Sequence, residues 1–292
     1  MMKLSRFCRP LILALPLLTG LMPSALGNVQ SCSNFTNLEQ YIEADSTGGC
    51  QLGDKIVSDF AFLFTGGTSA DGYTSPIVPP ASAVTVTDTL ADTSTEPAWV
   101  SLTFNFNGNA SVTANQTMDL IIQYVVTAPP LATITEATMS GVAASRKQST
   151  TATSSANLIG NICLGGAYDV SGTAPTGGCL GDGTTSPLNS TLKGTTASNS
   201  LSPNLVANQV TRSGSATGLS ESQVGVYDEI KLFGGSTNTP ANGSQAAAST
   251  LTQTFYESYA PGYGATPEPV PVLLVGFALV GLSLGRRQKH GS

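Results

Sequence analysis

The chain of 292 residues is 40% hydrophobic and only 10% charged, and its formal net charge is −6. Its one histidine is His290, near the C-terminus, so a Ser-His-Asp or Cys-His catalytic arrangement and a histidine metal site are excluded from the body of the chain. An acidic chain without a basic stripe does not attract a phosphate backbone, which argues against nucleic acid as a partner.

The N-terminus has the features of a secretory signal peptide. Its first residues are basic, at Lys3, Arg6 and Arg9. An apolar stretch over Leu11–Leu21 follows, and Ala25-Leu26-Gly27 supplies the small-x-small pattern that a signal peptidase recognises. We therefore predict that residues 1–27 are a signal peptide, that cleavage precedes Asn28, and that the protein is exported.

Residues 28–265 form the predicted extracytoplasmic domain. This span holds six of the 12 Lys and Arg residues and 17 of the 18 Asp and Glu residues, so its net charge is −11. Its length suits one domain of β-sandwich size with loops, or two small domains.

Four cysteines remain once the signal peptide, with Cys8, is removed. They are Cys32, Cys50, Cys163 and Cys179. An even number of cysteines in an exported chain is typical of disulfides, and four cysteines allow three pairings. We favour Cys32–Cys50 and Cys163–Cys179, because each pair closes a local loop of under twenty residues between strand-like segments.

A short helix is the first predicted element, over Asn34–Glu43, where Leu38, Tyr41 and Ile42 share one helical face. After it, period-two alternation and apolar runs between Gly, Pro, Asn and Asp turns indicate strands. The predicted strands are Lys55–Phe64, Ala83–Leu90, Trp99–Asn107, Leu120–Val126, Leu131–Val142, Val224–Phe233 and Leu251–Tyr256. We therefore predict an all-β fold, an antiparallel β-sandwich with long Ser/Thr/Gly-rich loops, in which the apolar run Leu120–Val126 is a central strand.

The segment Ser145–Ser222 differs in composition from the predicted strands. It is rich in Ser, Thr, Gly and Asn, and parts of it, such as Gly181–Ser202, have the composition of long surface loops or a flexible insertion. A set of short edge strands with polar faces fits the same composition. The sequence does not choose between these two interpretations.

The C-terminal residues 266–292 combine three features in a fixed order. Pro267-Glu268-Pro269 is rigid and extended, because proline fixes φ and disfavours helical geometry in the residue before it. Val270–Leu284 is predominantly apolar, and Arg286 and Arg287 follow it. We predict a single transmembrane helix over 270–285 whose basic end stays in the cytoplasm. The apolar run spans only about 22 Å as a helix, short of a hydrocarbon core of about 30 Å, which favours a transient anchor.

This tail resembles the PEP-CTERM sorting signal of Gram-negative bacteria, which consists of a Pro-Glu-Pro motif, a hydrophobic helix and an arginine-rich end. The resemblance implies recognition by an exosortase, a membrane cysteine protease or transpeptidase, and an association with exopolysaccharide and biofilm. It implies that Pro267, Glu268 and Pro269 are the recognition residues and that Arg286 and Arg287 form the stop. Three ectodomain segments more loosely resemble uncharacterised proteins with such tails, and they bring no known activity: Gly49–Lys55, Tyr227–Ile230 and Gln253–Phe255.

Three functional hypotheses follow from these features. The first is a non-enzymatic, structural or adhesive protein of the cell surface or extracellular matrix, anchored in the cytoplasmic membrane until its tail is processed, with no cofactor and no metal. The second is a carbohydrate-binding module, in which Trp99 and the tyrosines stack on sugars of an extracellular polysaccharide. The third is a glycosidase that uses two carboxylates. Its candidate carboxylates flank the strands, at Asp54, Asp59, Asp228 and Glu229.

Overall fold

The computed structural model describes residues 29–64, 76–90, 99–146, 154–168, 179–180, 185–187, 192–193, 209–235 and 245–259. All of them belong to the predicted extracytoplasmic domain. The predicted signal peptide, residues 1–27, lies outside the described residues, and so does the predicted sorting tail, residues 266–292, with its helix over 270–285.

Strands make up most of the described chain. Within it, helix α1 spans Leu38–Ala44, and three 3-10 helices span Cys32–Asn34, Asp45–Thr47 and Ala81–Ala83. In chain order the strands are β1 (Gln30–Ser31), β2 (Cys50–Leu52), β3 (Lys55–Phe64), β4 (Thr85–Leu90), β5 (Trp99–Asn105), β6 (Ser111–Thr113), β7 (Thr117–Thr127), β8 (Ala132–Arg146), β9 (Ser155–Leu164), β10 (Ala167–Tyr168), β11 (Cys179–Leu180), β12 (Thr185–Pro187), β13 (Leu192–Lys193), β14 (Gln209–Glu221), β15 (Gln223–Phe233) and β16 (Gln245–Tyr259).

Most of these strands belong to two sheets. In sheet A the order is β1-β2-β3-β7-β15-β9-β12, and β13 also pairs with β9. In sheet B the order is β14-β8-β16-β5-β4, and β6 also pairs with β16. The pairing of β1 with β2 is parallel. The other described pairings are antiparallel, and β10 and β11 form a separate ribbon.

Aromatic side chains from the two sheets meet in one core. The ring of Tyr124 in β7 lies 5.9 Å from that of Phe104 in β5 and 6.3 Å from that of Phe255 in β16. Phe60 in β3 stacks on Tyr124 with 5.1 Å between ring centroids. Because β3 and β7 belong to sheet A, and β5 and β16 to sheet B, these contacts join the two sheets face to face. The predicted all-β sandwich is confirmed.

Helix α1 begins four residues after the predicted start, because its N-cap is Asn37. The Asn37 side-chain oxygen accepts a hydrogen bond from the Gln40 backbone N–H at 3.2 Å, and the Gln40 side-chain oxygen accepts one from the Asn37 N–H at 3.4 Å. This reciprocal capping box fixes the start of the helix. The predicted apolar face is confirmed at Leu38 and Tyr41, which are buried, and the Tyr41 ring lies 5.1 Å from that of Phe60.

Each predicted strand coincides with an observed strand, and the differences are at the ends. Lys55–Phe64 is β3 as predicted, and β7 extends the predicted strand Leu120–Val126 in both directions. Because β7 lies between β3 and β15, its central place in a sheet is confirmed. The largest extension is in β16, which begins at Gln245, six residues before the predicted Leu251.

The polar segment Ser145–Ser222 contains two long strands. Strand β9 pairs with β15 along its whole length, and β14 pairs with β8. The apolar residues Ala156, Leu158 and Ile162 of β9 alternate with more exposed residues and belong to the core. Strand β14 is therefore an edge strand of sheet B, whereas β9 lies inside sheet A.

Both disulfides have the local pairing that the sequence favours. Cys32–Cys50 joins the first 3-10 helix to β2, with 5.0 Å between Cα atoms, and both cysteines are buried in the main core. Cys163–Cys179 joins β9 to β11, with 5.3 Å between Cα atoms. The second disulfide therefore ties the β10–β11 ribbon to sheet A.

Candidate ligand-binding face

The outer face of sheet B, the face turned away from sheet A, carries two rows of hydroxyl side chains that run across five strands. Each row takes one residue from β4, β5, β16, β8 and β14, in that order. The first row is Thr87, Thr103, Thr252, Ser140 and Ser213. The second row is Thr89, Ser101, Thr254, Thr138 and Ser215. We call these ten residues the hydroxyl rows.

Strand alternation places the hydroxyl rows on the outer face. Between the rows lie residues that face the sandwich interior, such as Leu102 in β5 and Met139 in β8, and both are in the core. Neighbouring hydroxyls within a row bond across the strands, since the Oγ1 atoms of Thr103 and Thr252 lie 3.0 Å apart. Adjacent positions in a row are about 4.8 Å apart, and the two rows are about 6.8 Å apart along the strands.

A third row of paired residues, next to the second hydroxyl row on the same face, contains two aromatic rings and a carboxylate. Tyr256 in β16 pairs directly with Trp99 in β5 on one side and with Glu136 in β8 on the other. Glu136 in turn pairs with Thr217 in β14. Trp99 and Tyr256 are half-buried, and directly paired residues have Cβ atoms about 5 Å apart. An apolar ring surface bordered by hydroxyls and a carboxylate suits a ligand that has both C–H faces and hydroxyl groups.

The outer face of sheet A is partly covered by the chain itself. A side chain at Gly225 in β15 would place its Cβ atom 2.8 Å from the Ala167 Cα, so the backbone at the start of β10 packs directly on this strand. The ring of Tyr168 in β10 lies 5.4 Å from that of Tyr227 in β15. Elsewhere on this face, the exposed Lys231 pairs with Glu229 at 2.8 Å. The hydrogen bond to Glu229 raises the pKa of Lys231.

A cluster of charged side chains joins the two sheets at one end of the sandwich. The Lys55 Nζ atom, at the start of β3, lies 3.0 Å from the Asp54 Oδ1 atom and 2.8 Å from the Glu257 Oε2 atom of β16. The Tyr259 hydroxyl donates a hydrogen bond to the other carboxylate oxygen of Asp54. Lys55 and Glu257 are fully buried, so this ion pair is shielded from water. We call these four residues the ionic cluster.

The two carboxyl groups of the ionic cluster differ in pKa. Burial disfavours the ionised form of Asp54, but the Tyr259 hydrogen bond and the Lys55 charge outweigh burial, and the pKa of Asp54 lies below its ordinary value. Burial raises the pKa of Glu257 to about 7, against the opposing hydrogen bond and charge of Lys55. A shared lysine therefore holds one carboxylate ionised beside a second that titrates near neutral pH.

A groove of about 670 Å³ lies beside the ionic cluster. It is lined largely by apolar residues, which include Ile56, Pro129 and Leu131, and Asp54 is at its wall. Leu131 is 59% exposed and has a φ of +70°, an uncommon backbone conformation for leucine. Glu257 does not line the groove. A glycosidase needs two carboxyl groups that flank a sugar, about 5 Å or more apart, and here the two carboxylates contact one ammonium group instead.

The carboxylates that the sequence suggests for catalysis do not converge. Asp54 belongs to the ionic cluster, and Asp59 is exposed at an irregularity of β3 with a φ of +56°. Asp228 and Glu229 are consecutive in β15, so their side chains point to opposite faces of sheet A. Within the described residues there is no group of three His, Cys, Asp or Glu side chains that could hold a metal ion.

Asp228 lies in the core between the two sheets. Its Oδ1 atom accepts a hydrogen bond of 2.6 Å from the Gln253 Nε2 atom of β16. Burial raises the pKa of Asp228 to about 8, although the Gln253 hydrogen bond opposes the rise. The side chain is therefore mostly protonated at neutral pH, which suits a structural link between the sheets better than an exposed acid.

Replacing Asp228 with asparagine is expected to remove a pH dependence of stability. Because the folded-state pKa of Asp228 is raised, the stability that its protonation contributes is fully present below about pH 4, where the unfolded chain is protonated as well, and is lost as the pH rises through 8. Between pH 5 and pH 8, the free energy of unfolding should fall by on the order of 3 kcal/mol more in the wild type than in Asp228→Asn. Urea unfolding at the two pH values measures both losses. Equal losses in the two proteins would contradict the raised pKa.

The sequence pointed to Trp99 as a sugar-stacking residue, and the structure places it on the outer face of sheet B beside Tyr256. No local sequence pattern indicated a role for Lys55, Glu257 or the hydroxyl rows. The predicted sorting residues lie outside the described residues: Pro267, Glu268, Pro269, Arg286 and Arg287. Among the residues that are described, no helix has the length and apolar character needed to cross a membrane.

No family model and no curated protein matches the chain. Among solved structures, the carbohydrate-binding module TmCBM61 in complex with β-1,4-galactotriose is similar at 9% sequence identity, over 75% of this chain and 98% of that chain. The TM-score is 0.22, and at that value the likeness carries no argument about the fold or ligand of this chain.

Proposed function

We propose that this chain is an exported protein of the cell surface or extracellular matrix, sorted by an exosortase through its C-terminal Pro-Glu-Pro motif, with a structural or adhesive role in exopolysaccharide or biofilm. The observation that best supports export is the pair of local disulfides, Cys32–Cys50 and Cys163–Cys179. Disulfides form and persist in oxidising compartments and are rare in the cytoplasm. The sorting step rests on the tail sequence.

Changing the sorting motif is the experiment that tests this proposal. We expect a variant with Pro267, Glu268 and Pro269 all replaced by alanine to remain in the membrane fraction at a higher mass than the mature wild type. The apolar helix and basic end would still insert in the membrane, but the protease would lack its recognition residues. A suitable control replaces Pro129 and Pro130, which lie in the folded domain, with alanine. Normal processing of the motif variant would contradict the proposal.

A second candidate function, carbohydrate binding, is favoured by the outer face of sheet B. Trp99 and Tyr256 offer ring surface for stacking, and the hydroxyl rows offer donors and acceptors that match sugar hydroxyls. This is compatible with surface sorting, since an adhesive protein of a polysaccharide matrix needs a surface that binds polysaccharide.

Catalysis is not part of the proposed function. The histidine-dependent mechanisms are excluded by the sequence, and the four described cysteines are joined in disulfides. The carboxylates of the ionic cluster are engaged with Lys55 and Tyr259 rather than aligned along the groove. We therefore propose that this chain is a binding protein and not an enzyme.

A further inference from the structure

We propose that the outer face of sheet B binds an extended, uncharged polysaccharide that lies across the strands, along the hydroxyl rows. This inference rests on the proposed carbohydrate-binding function and adds to it the class of ligand, its orientation and the residues that hold it.

The shape of the face fits the interior of a polymer rather than the end of a chain. The hydroxyl rows cross four strand spacings, or about 19 Å, which is long enough for several sugar residues. At one edge Thr87 and Thr89 of β4 are exposed, and at the other edge Ser213 and Ser215 of β14 are exposed. Both ends of the rows therefore open to solvent, so a long chain can run over the sheet and continue beyond it.

The chemistry of the rows fits sugar hydroxyls. A serine or threonine hydroxyl both donates and accepts, so a row can adapt its hydrogen bonds to the hydroxyls of successive sugars. Thr103 and Thr252 already bond each other, and Thr254 donates a hydrogen bond to Ser101 at 3.2 Å, which fixes these side chains in orientation before a ligand arrives. Ser101 is itself buried, so it holds Thr254 in place and does not contact the ligand. Trp99 and Tyr256 border one long side of the rows and can stack on a sugar ring there.

The charge of the face selects against acidic polymers. The ten side chains of the hydroxyl rows carry no charge, and the row beside them carries the carboxylate of Glu136. The predicted mature domain has a net charge of −11, with six basic residues against 17 acidic ones. A polymer of uronates or sulfated sugars would meet like charge at the site and in the surrounding field. A neutral polymer escapes this repulsion and satisfies the same hydrogen bonds.

The test uses the purified protein in affinity electrophoresis through gels that contain a neutral glucan, a neutral mannan or the polyuronate alginate, at low ionic strength. Retention by a neutral polymer, and not by alginate, is the expected result. Trp99→Ala should weaken this retention by about tenfold through loss of stacking. Thr103→Val combined with Thr252→Val should also weaken it, because valine keeps the shape of threonine and removes its hydroxyl. Lys231→Ala, on the other sheet, is the matched control and should be retained like the wild type.

The possible failures are distinct. Tighter retention by alginate than by the neutral polymers would overturn the proposed ligand class and leave carbohydrate binding in place. Neutral-polymer retention that is unchanged in Trp99→Ala and in the double valine variant would overturn the proposed face. No retention by any of these polymers or by the exopolysaccharide of the source cells would overturn carbohydrate binding itself. Circular dichroism of each variant separates loss of binding from loss of the fold.

Discussion

Replacing Lys55 with methionine is expected to lower the free energy of unfolding by about 3–5 kcal/mol at pH 8. Methionine has a similar length and removes the ammonium group that lies 2.8 Å from Glu257 and 3.0 Å from Asp54. The carboxyl group of Glu257 is fully buried and would have no cation beside it. The cost should shrink at pH 5, because Glu257, with a pKa of about 7, is protonated there in the wild type as well.

A matched control is available on the other side of sheet A. The ion pair between Lys231 and Glu229 has nearly the same length, 2.8 Å, but the Lys231 side chain is 47% exposed. Lys231→Met should therefore change stability by less than about 1 kcal/mol, as is typical of exposed pairs. Urea unfolding of both variants measures the difference. If Lys55→Met costs no more than Lys231→Met at pH 8, the ionic cluster does not join the sheets as described.

Removing the Cys32–Cys50 disulfide is expected to lower the free energy of unfolding by about 3 kcal/mol. The two cysteines are 18 positions apart, so the bond restricts a loop of moderate size in the unfolded chain. It also holds the first 3-10 helix against β2, near the Tyr41 hydroxyl, which donates to the Cys32 carbonyl oxygen at 3.4 Å. Replacement of both cysteines by alanine avoids burying a hydroxyl group in the core.

The second disulfide provides the comparison. Cys163 and Cys179 are 16 positions apart, so the loss of chain entropy is nearly the same as for the first pair. Double alanine variants of the two pairs should therefore be destabilised by similar amounts in urea under oxidising conditions. Unfolding midpoints that equal the wild type's in both variants would show that neither disulfide stabilises the fold.

The alternation of side chains made much of the sandwich predictable. In Trp99–Asn107, for example, period-two alternation predicts Val100, Leu102 and Phe104 on one face, and all three are in the core. The same alternation puts Ser101 and Thr103 on the outer face. The period of two in one strand is a local property of the sequence, so it survives in the folded sheet.

The hydroxyl rows were not predictable in the same way. Alternation assigns Thr103 and Thr252 to outer faces, but nothing local says that these two residues lie opposite each other. Their pairing joins strands that are 149 positions apart in the chain. Register between distant strands depends on packing of the whole sheet, which a single sequence does not display.

The ionic cluster escaped prediction for a related reason. The predicted strand ends at Tyr256, but in β16 the alternation that buries Leu251 and Phe255 continues one step further and turns Glu257 inward toward Lys55. Lys55 itself opens an aromatic strand, where a basic residue usually points to solvent. Neither Lys55 nor Glu257 is unusual in its own segment of sequence. They form an ion pair only because β3 and β16 meet in the folded protein.

The composition of the polar segment Ser145–Ser222 does not reveal that it contains a strand inside sheet A. Strand β9 contains Ser155, Asn157 and Asn161, which lower its apparent strand character, yet it pairs on both sides within sheet A. Its neighbours supply the backbone hydrogen bonds, and its own alternating residues Ala156, Leu158 and Ile162 supply apolar surface that the average composition of Ser145–Ser222 conceals. Context of this kind routinely outweighs intrinsic strand preference.

The measurement that tests export and sorting most directly is mass spectrometry of the protein recovered from the surface of its own cells, with both termini and the disulfide-linked peptides identified. We predict a chain that begins at Asn28, lacks Arg286 and Arg287, and contains the disulfides Cys32–Cys50 and Cys163–Cys179. Deleting the membrane protease should restore the C-terminal residues. A surface protein that still carries Arg286 and Arg287, unchanged by that deletion, would contradict processing of the tail by an exosortase.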